Sequence, residues 1–198
     1  MSVRRKHMGR SFTALALALS WTGMFGPLRA QPAASEAKAH EARAHFVGNL
    51  IKSTDWPKEA FEDENAPFIL GILGKDSFSD RLDIVKVYGT KGRKLEVKHF
   101  SKVQQVESCH LLFISSSEEN RLADILPIVG KSGVLTVAEL STPDLQKAND
   151  RNGMVYFTME EAKPGILNPR FKINPDVVEK ANLRMPSQLY AIAKKYWK

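Results

Sequence analysis

A chain of 198 residues that is 43% hydrophobic and 26% charged, with 12 glycines, 10 prolines and one cysteine, has the composition of a globular protein. It excludes a disordered, collagenous or disulfide-stapled chain. The formal charge of +7 sits mostly at the start, where Arg4, Arg5, Lys6, Arg10 and Arg29 meet no acidic residue before position 31. Without those five of its 29 basic residues the chain is nearly neutral against 22 acidic ones, and no basic stripe interleaved with aromatics remains to hold nucleic acid.

The basic cluster precedes an apolar run from Phe12 to Phe25 and the segment Pro27-Leu28-Arg29-Ala30-Gln31, the order of a secretory signal. Residues 1–30 are therefore expected to be a signal peptide cleaved after Ala30, and residues 31–198 a single exported domain. The run is interrupted by Ser20, Thr22 and Gly23 and is shorter than the roughly 20 apolar residues of a membrane span. With no cysteine near the cleavage region, a lipid anchor there is excluded. Cys109, alone in the chain, forms no intrachain disulfide and leaves only an intermolecular bridge open.

After an Ala-rich leader, Glu36 to Thr54 places Ala44, Val47 and Ile51 on one stripe, with Phe46 and Leu50 widening it, which predicts an amphipathic helix stopped near Trp56-Pro57. Phe68 to Leu73 is a continuous apolar run, the pattern of a strand covered on both faces. Asp76 or Ser77 is placed to cap a following helix that buries Phe78, Leu82 and Val85. Leu95 to Phe100 alternates and suits a sheet edge. Leu111 to Ile114 and Val134 to Val137 read as buried strands flanking a helix with Leu122, Ile125, Leu126 and Val129 on one side. Met154 to Met159 and Leu167 to Ile173 form a hairpin turning at Glu160 to Gly165. Asn174-Pro175-Asp176 opens a helix expected to reach Leu183, and a last helix after Pro186 is expected to bury Leu189, Ile192, Ala193 and Tyr196. This order predicts an α/β fold: a three-layer α/β/α sandwich with a mainly parallel sheet and a C-terminal antiparallel hairpin.

The chemistry in this pattern is sparse. His40 and His45 lie five apart, so on a helix their rings point in different directions and one metal cannot readily take both. Gly71-Ile72-Leu73-Gly74-Lys75-Asp76 stands between a strand and a helix, where α/β folds bind ligands, but matches neither nucleotide-binding motif. Cys109 and His110 adjoin on a strand and leave on opposite faces, which disfavours a dyad. Glu62, Asp63 and Glu64 read as a solvated loop. No catalytic, cofactor or metal residue is assigned.

The helix ending Thr54-Asp55-Trp56-Pro57, the Phe68 to Gly74 strand, Cys109-His110-Leu111-Leu112-Phe113-Ile114-Ser115, Val134 to Val137, Gly153-Met154-Val155-Tyr156-Phe157 and Phe171-Lys172-Ile173-Asn174 together resemble the YfiR family of periplasmic regulators. The resemblance spans essentially all of residues 31–198. It implies a periplasmic, dimeric protein that binds the sensor domain of an inner-membrane diguanylate cyclase and represses it, lowering cyclic di-GMP and biofilm formation. Related domains also feed histidine kinases. Trp56, Pro57, Cys109, His110, Gly153, Phe171 and Asn174 carry this signature and read as structural. The disulfide of some relatives cannot form here, and Arg151-Asn152-Gly153 stands where relatives often have a Gly pair.

Partner contact is expected on the outward side of the hairpin, at Arg170 and Lys172, and on the following helix, at Asp176 and Glu179. The alternative is a periplasmic small-molecule binding or sensory protein, feeding a histidine kinase or transporter. Its ligand loop would comprise Lys75, Asp76 and Ser77 with Ser115 and Ser116, all at expected C-terminal strand ends. A hydrolase using His110 is a third reading, without a recognised motif behind it.

Overall fold

The computed structural model describes residues 32–88, 90–106, 109–130, 133–142, 152–164 and 166–195. The expected signal segment, Arg151 and Tyr196 lie outside them. Among the described residues five α-helices and six strands follow in order: α1 (Pro32–Ser53), β1 (Phe68–Leu73), α2 (Leu82–Tyr88), β2 (Leu95–Phe100), β3 (Leu111–Ile114), α3 (Leu122–Val129), β4 (Leu135–Glu139), β5 (Val155–Lys163), β6 (Ile166–Ile173), α4 (Pro175–Lys180) and α5 (Ser187–Lys195).

The strands form one sheet in the order β2-β1-β3-β4-β5-β6. Every pairing is parallel except β5 with β6, which is antiparallel. Sequence order explains this arrangement. The runs in β1, β3 and β4 are apolar on both sides because both sides are covered, whereas β2, whose first four residues are only half-buried, occupies the edge.

Two apolar layers fill the faces. On one, Ala44, Val47 and Ile51 of α1 meet Leu70, Phe113, Val137 and Phe157 from the sheet, with Val178 of α4 and Ala193 of α5. Phe46 extends this layer over the hairpin, its ring 4.8 Å from Phe157 and 5.2 Å from Phe171. On the other, Leu122, Ile125, Leu126 and Val129 of α3 cover Leu112, Ile114, Ala138 and Tyr156. Alternating residues of single strands, such as Phe113 and Leu112, go to opposite layers, as the two-residue period of a strand requires. The three-layer α/β/α sandwich with its C-terminal hairpin is the fold read from the sequence.

Several boundaries differ for physical reasons. α1 begins at Pro32, ahead of Glu36, because the Ala-rich stretch is a strong helix former and proline suits a first turn. α2 begins only at Leu82: Asp76 Oδ1 accepts from the amides of Phe78 and Ser79, and Ser79 takes a φ of 52°, so Asp76 closes a turn instead of capping a helix. The hairpin strands pair as far as Lys163 with Ile166, so the turn is tighter than Glu160 to Gly165. α4 stops at Lys180, and Ile192 on α5 is 48% exposed instead of buried.

Candidate functional site

The sheet order creates one crevice by topology. From β1 the chain moves outward to β2 and then returns to β3 on the opposite side, and the helices that follow β1 and β3 pack on opposite faces of the sheet. Open α/β sheets bind ligands at such a switch point, beyond the carboxyl ends of the strands. Here a cleft of about 720 Å³ opens there, lined by Lys75, Asp76 and Ser77 from one loop, Ser115 to Ser117 from the other, and His40 and Arg43 from α1. The structure thus brings together all five residues of the expected ligand loop.

The two loops are tied to each other. Ser77 Oγ and Ser115 Oγ lie 3.1 Å apart, and the Lys75 amide donates to Ser117 Oγ at 3.0 Å. Gly74 makes that approach possible: its φ is +93°, and a Cβ on it would stand 2.6 Å from Ser117 Oγ.

Behind the loops lies an ion pair that sequence reading did not anticipate. Arg43 Nε donates to Glu139 Oε1 at 2.5 Å, with 17% and 4% of the respective side chains exposed. Arg43 Nη1 also donates to the Ser77 carbonyl at 3.4 Å, the same oxygen reached by His40 Nδ1. Glu139 Oε2 is buried without a hydrogen-bond partner among the described residues. The two residues are 96 positions apart, so no local pattern joins them. A trace was present nonetheless: Glu139 follows Val134 to Ala138 without a break, and Arg43 adjoins the buried stripe of α1.

Of the signature residues, Trp56 and His110 meet beside Phe68, at the start of β1 and the entry of β3. Trp56 Nε1 donates to the His110 carbonyl at 3.0 Å and its ring meets Phe68 edge-on at 4.9 Å. The His110 ring accepts from the Ile69 amide at Nδ1, 2.8 Å away, and donates from Nε2 to the Ala60 carbonyl at 3.0 Å. It therefore carries its proton on Nε2, and Phe61 stacks on it at 4.3 Å. Burial lowers the pKa of His110 from 6.5, the Ala60 carbonyl pulls it upward and Arg93 lowers it further. Both ring nitrogens are engaged by backbone, so this is a joint between segments.

Cys109 points to the opposite face, into the α3 layer, and burial pushes its thiol up to about 11. Gly153 lies so close to Tyr156 that its amide donates to the phenol oxygen at 2.7 Å, and Asn174 caps α4 by accepting from the Val177 amide. Phe171 packs against Phe46. Glu62, Asp63 and Glu64 are exposed.

The expected partner surface is only partly outward. Arg170 is exposed and pairs with Glu160 across the hairpin, while Asp176 and Glu179 project from α4. Lys172 is a correction: it is 3% exposed, in register with Tyr156, and offers no charge to a partner. Sequence reading also missed an apolar groove of about 540 Å³ beside the hairpin, between Phe46 of α1, Pro169 and Phe171 of β6 and Leu189 and Ile192 of α5.

Among the described residues no three His, Cys, Asp or Glu side chains are grouped to hold a metal ion, and no helix is long and apolar enough to cross a membrane. The molecule is a mostly parallel α/β sandwich whose polar chemistry gathers in a cleft at the strand ends. It belongs to the YfiR/HmsC-like family, whose model matches residues 40–194, in agreement with the resemblance read from the strand motifs. No curated protein matches the chain significantly.

Proposed function

We propose that this protein is a periplasmic regulator that binds the sensor domain of an inner-membrane diguanylate cyclase and holds it inactive, lowering cyclic di-GMP and biofilm formation. The observation that carries this reading is membership of the YfiR/HmsC-like family over residues 40–194. The mechanism is occupancy. A protein that binds one conformation of a sensor more tightly than the other shifts the sensor's equilibrium by that difference in affinity, and no bond need be made or broken. The binding surface is the exposed side of the hairpin around Arg170 with Asp176 and Glu179 of α4, and the working unit is a homodimer.

The test is crosslinking of the affinity-tagged protein in the periplasm of its own host, followed by identification of captured membrane proteins. Capture of a diguanylate cyclase, reduced by Asp176→Lys with Glu179→Lys, is expected. Capture of a histidine kinase alone would replace the cyclase by a different output. The switch-point cleft favours a second reading, a sensory protein that recognises a small molecule on behalf of a kinase or transporter, for which the crosslinking readout is the kinase.

A further inference from the structure

The described sheet ends in β2 on one side and in β6 on the other. An edge strand presents a row of unpaired backbone groups, and proteins usually blunt it. β6 carries Pro169, which has no N–H to offer, and its pairing with β5 shifts register between Glu161 and Lys163. β2 has neither device: Leu95 to Phe100 pairs with β1 residue for residue and contains no proline or glycine. The Lys94 and Phe100 carbonyls accept from the Phe68 and Gly74 amides on the β1 side. By alternation, the backbone N–H and C=O of Leu95, Val97 and His99 point out from the sheet.

The side chains of β2 narrow what can pair with those groups. Glu96 and Lys98 stand two residues apart on one face, and Val97 between them belongs to the other. Charges on an edge strand ordinarily deter pairing, and a two-fold axis through Glu96 or through Lys98 would set like charges against each other. An axis through Val97 does the reverse. It brings Val97 to Val97 of the second copy and Leu95 to His99 of the second copy, and these outward-pointing residues exchange hydrogen bonds. It also puts Glu96 opposite Lys98 of the second copy, and Lys98 opposite its Glu96, at the close positions where Cα atoms stand about 4.5 Å apart. Within the chain Lys94 Nζ lies 3.9 Å from Glu96 Oε1, an exposed contact with little hold on it. We propose that β2 is a homodimer surface, where two copies join edge to edge, antiparallel about Val97, into one continuous sheet. The proposal rests on the homodimer of the regulator reading, and it leaves the hairpin, at the opposite edge, open to the cyclase.

The test is sedimentation velocity of the purified exported protein over about two decades of concentration, where a monomer–dimer equilibrium is expected. Val97→Pro should abolish the dimer and leave a folded monomer by circular dichroism, because the N–H it removes points out from the sheet and no bond to β1 is lost. Glu96→Lys and Lys98→Glu, each setting like charges across the axis, should each weaken the dimer about tenfold. Mixed together, the two single variants should associate as tightly as the parent, since each like-charged strand then meets its opposite. That recovery reads the register itself and does not arise from misfolding. A monomer at every concentration, a dimer that neither charge variant weakens, or no recovery on mixing would overturn the proposal. Crosslinking to a membrane cyclase is a separate readout: a monomer that still captures the cyclase would overturn this surface and leave the regulator reading in place. A monomer whose capture is lost in Val97→Pro would give the edge to a strand of the cyclase and overturn the second copy as its occupant.

Discussion

The indole of Trp56 donates to the backbone carbonyl of His110 at 3.0 Å, joining the segment after α1 to the entry of β3. The same carbonyl also accepts from the Leu135 amide at 2.8 Å, so it is not orphaned if the indole is lost. Trp56→Phe should therefore cost about 0.5–1.5 kcal/mol, the net worth of one hydrogen bond, and not the larger penalty of a buried unsatisfied carbonyl. Urea unfolding at neutral pH measures this directly. A loss above about 3 kcal/mol would mean that the ring's packing on Phe68, and not the hydrogen bond, is the main contribution.

His110 should make the fold sensitive to mild acid. Its folded pKa is lowered from 6.5, chiefly by burial, so the unfolded state binds the proton more readily. Its contribution to stability is complete above 6.5 and is lost as pH falls from there through the folded value. The unfolding midpoint should drop as pH is lowered through the range just below 6.5, and His110→Gln, although less stable overall, should remove that part of the slope. An unchanged slope in the variant would assign the effect to another group.

Cys109 should be inert in the folded protein. It is 5% exposed and its thiol is pushed up to about 11, so both access and thiolate fraction are low. Labelling with a thiol reagent at pH 8 should be slow in buffer and rapid in denaturant. Fast labelling of native protein would place the thiol at the surface and reopen an intermolecular bridge.

The Arg43 to Glu139 pair should show the asymmetry of buried charges. Arg43→Met leaves a buried carboxylate alone and should cost about 3–5 kcal/mol, whereas Arg43→Met with Glu139→Leu should recover most of that loss. A double-mutant cycle from denaturant unfolding gives the coupling. Additive single effects would mean that the pair is solvated in practice.

How much of this was legible in the sequence depended on whether the signal was local. The strands at Phe68, Leu111 and Val134 were readable because a sheet covered on both faces makes an unbroken apolar run. The opposite orientations of Cys109 and His110 followed from strand alternation alone. Lys172 was misread because alternation names a face and not what covers it. Lys172 and Arg170 share a side of β6, yet only the end near Arg170 is open. That Lys75, Asp76, Ser77, Ser115 and Ser116 line one cleft was legible from their positions at strand ends. Arg43 and Glu139 were not, because their pairing is made by the placement of α1 over β4, across 96 residues. Asp76 looked like a helix cap, but its oxygen serves a turn two and three residues on, which sequence does not distinguish from a cap.

Cellular cyclic di-GMP is the most direct measure of whether this protein represses a membrane diguanylate cyclase. Deleting the coding sequence in the native host should raise cyclic di-GMP, and restoring the exported protein should return it to the parental level. Cyclic di-GMP that stays unchanged on deletion would contradict the account.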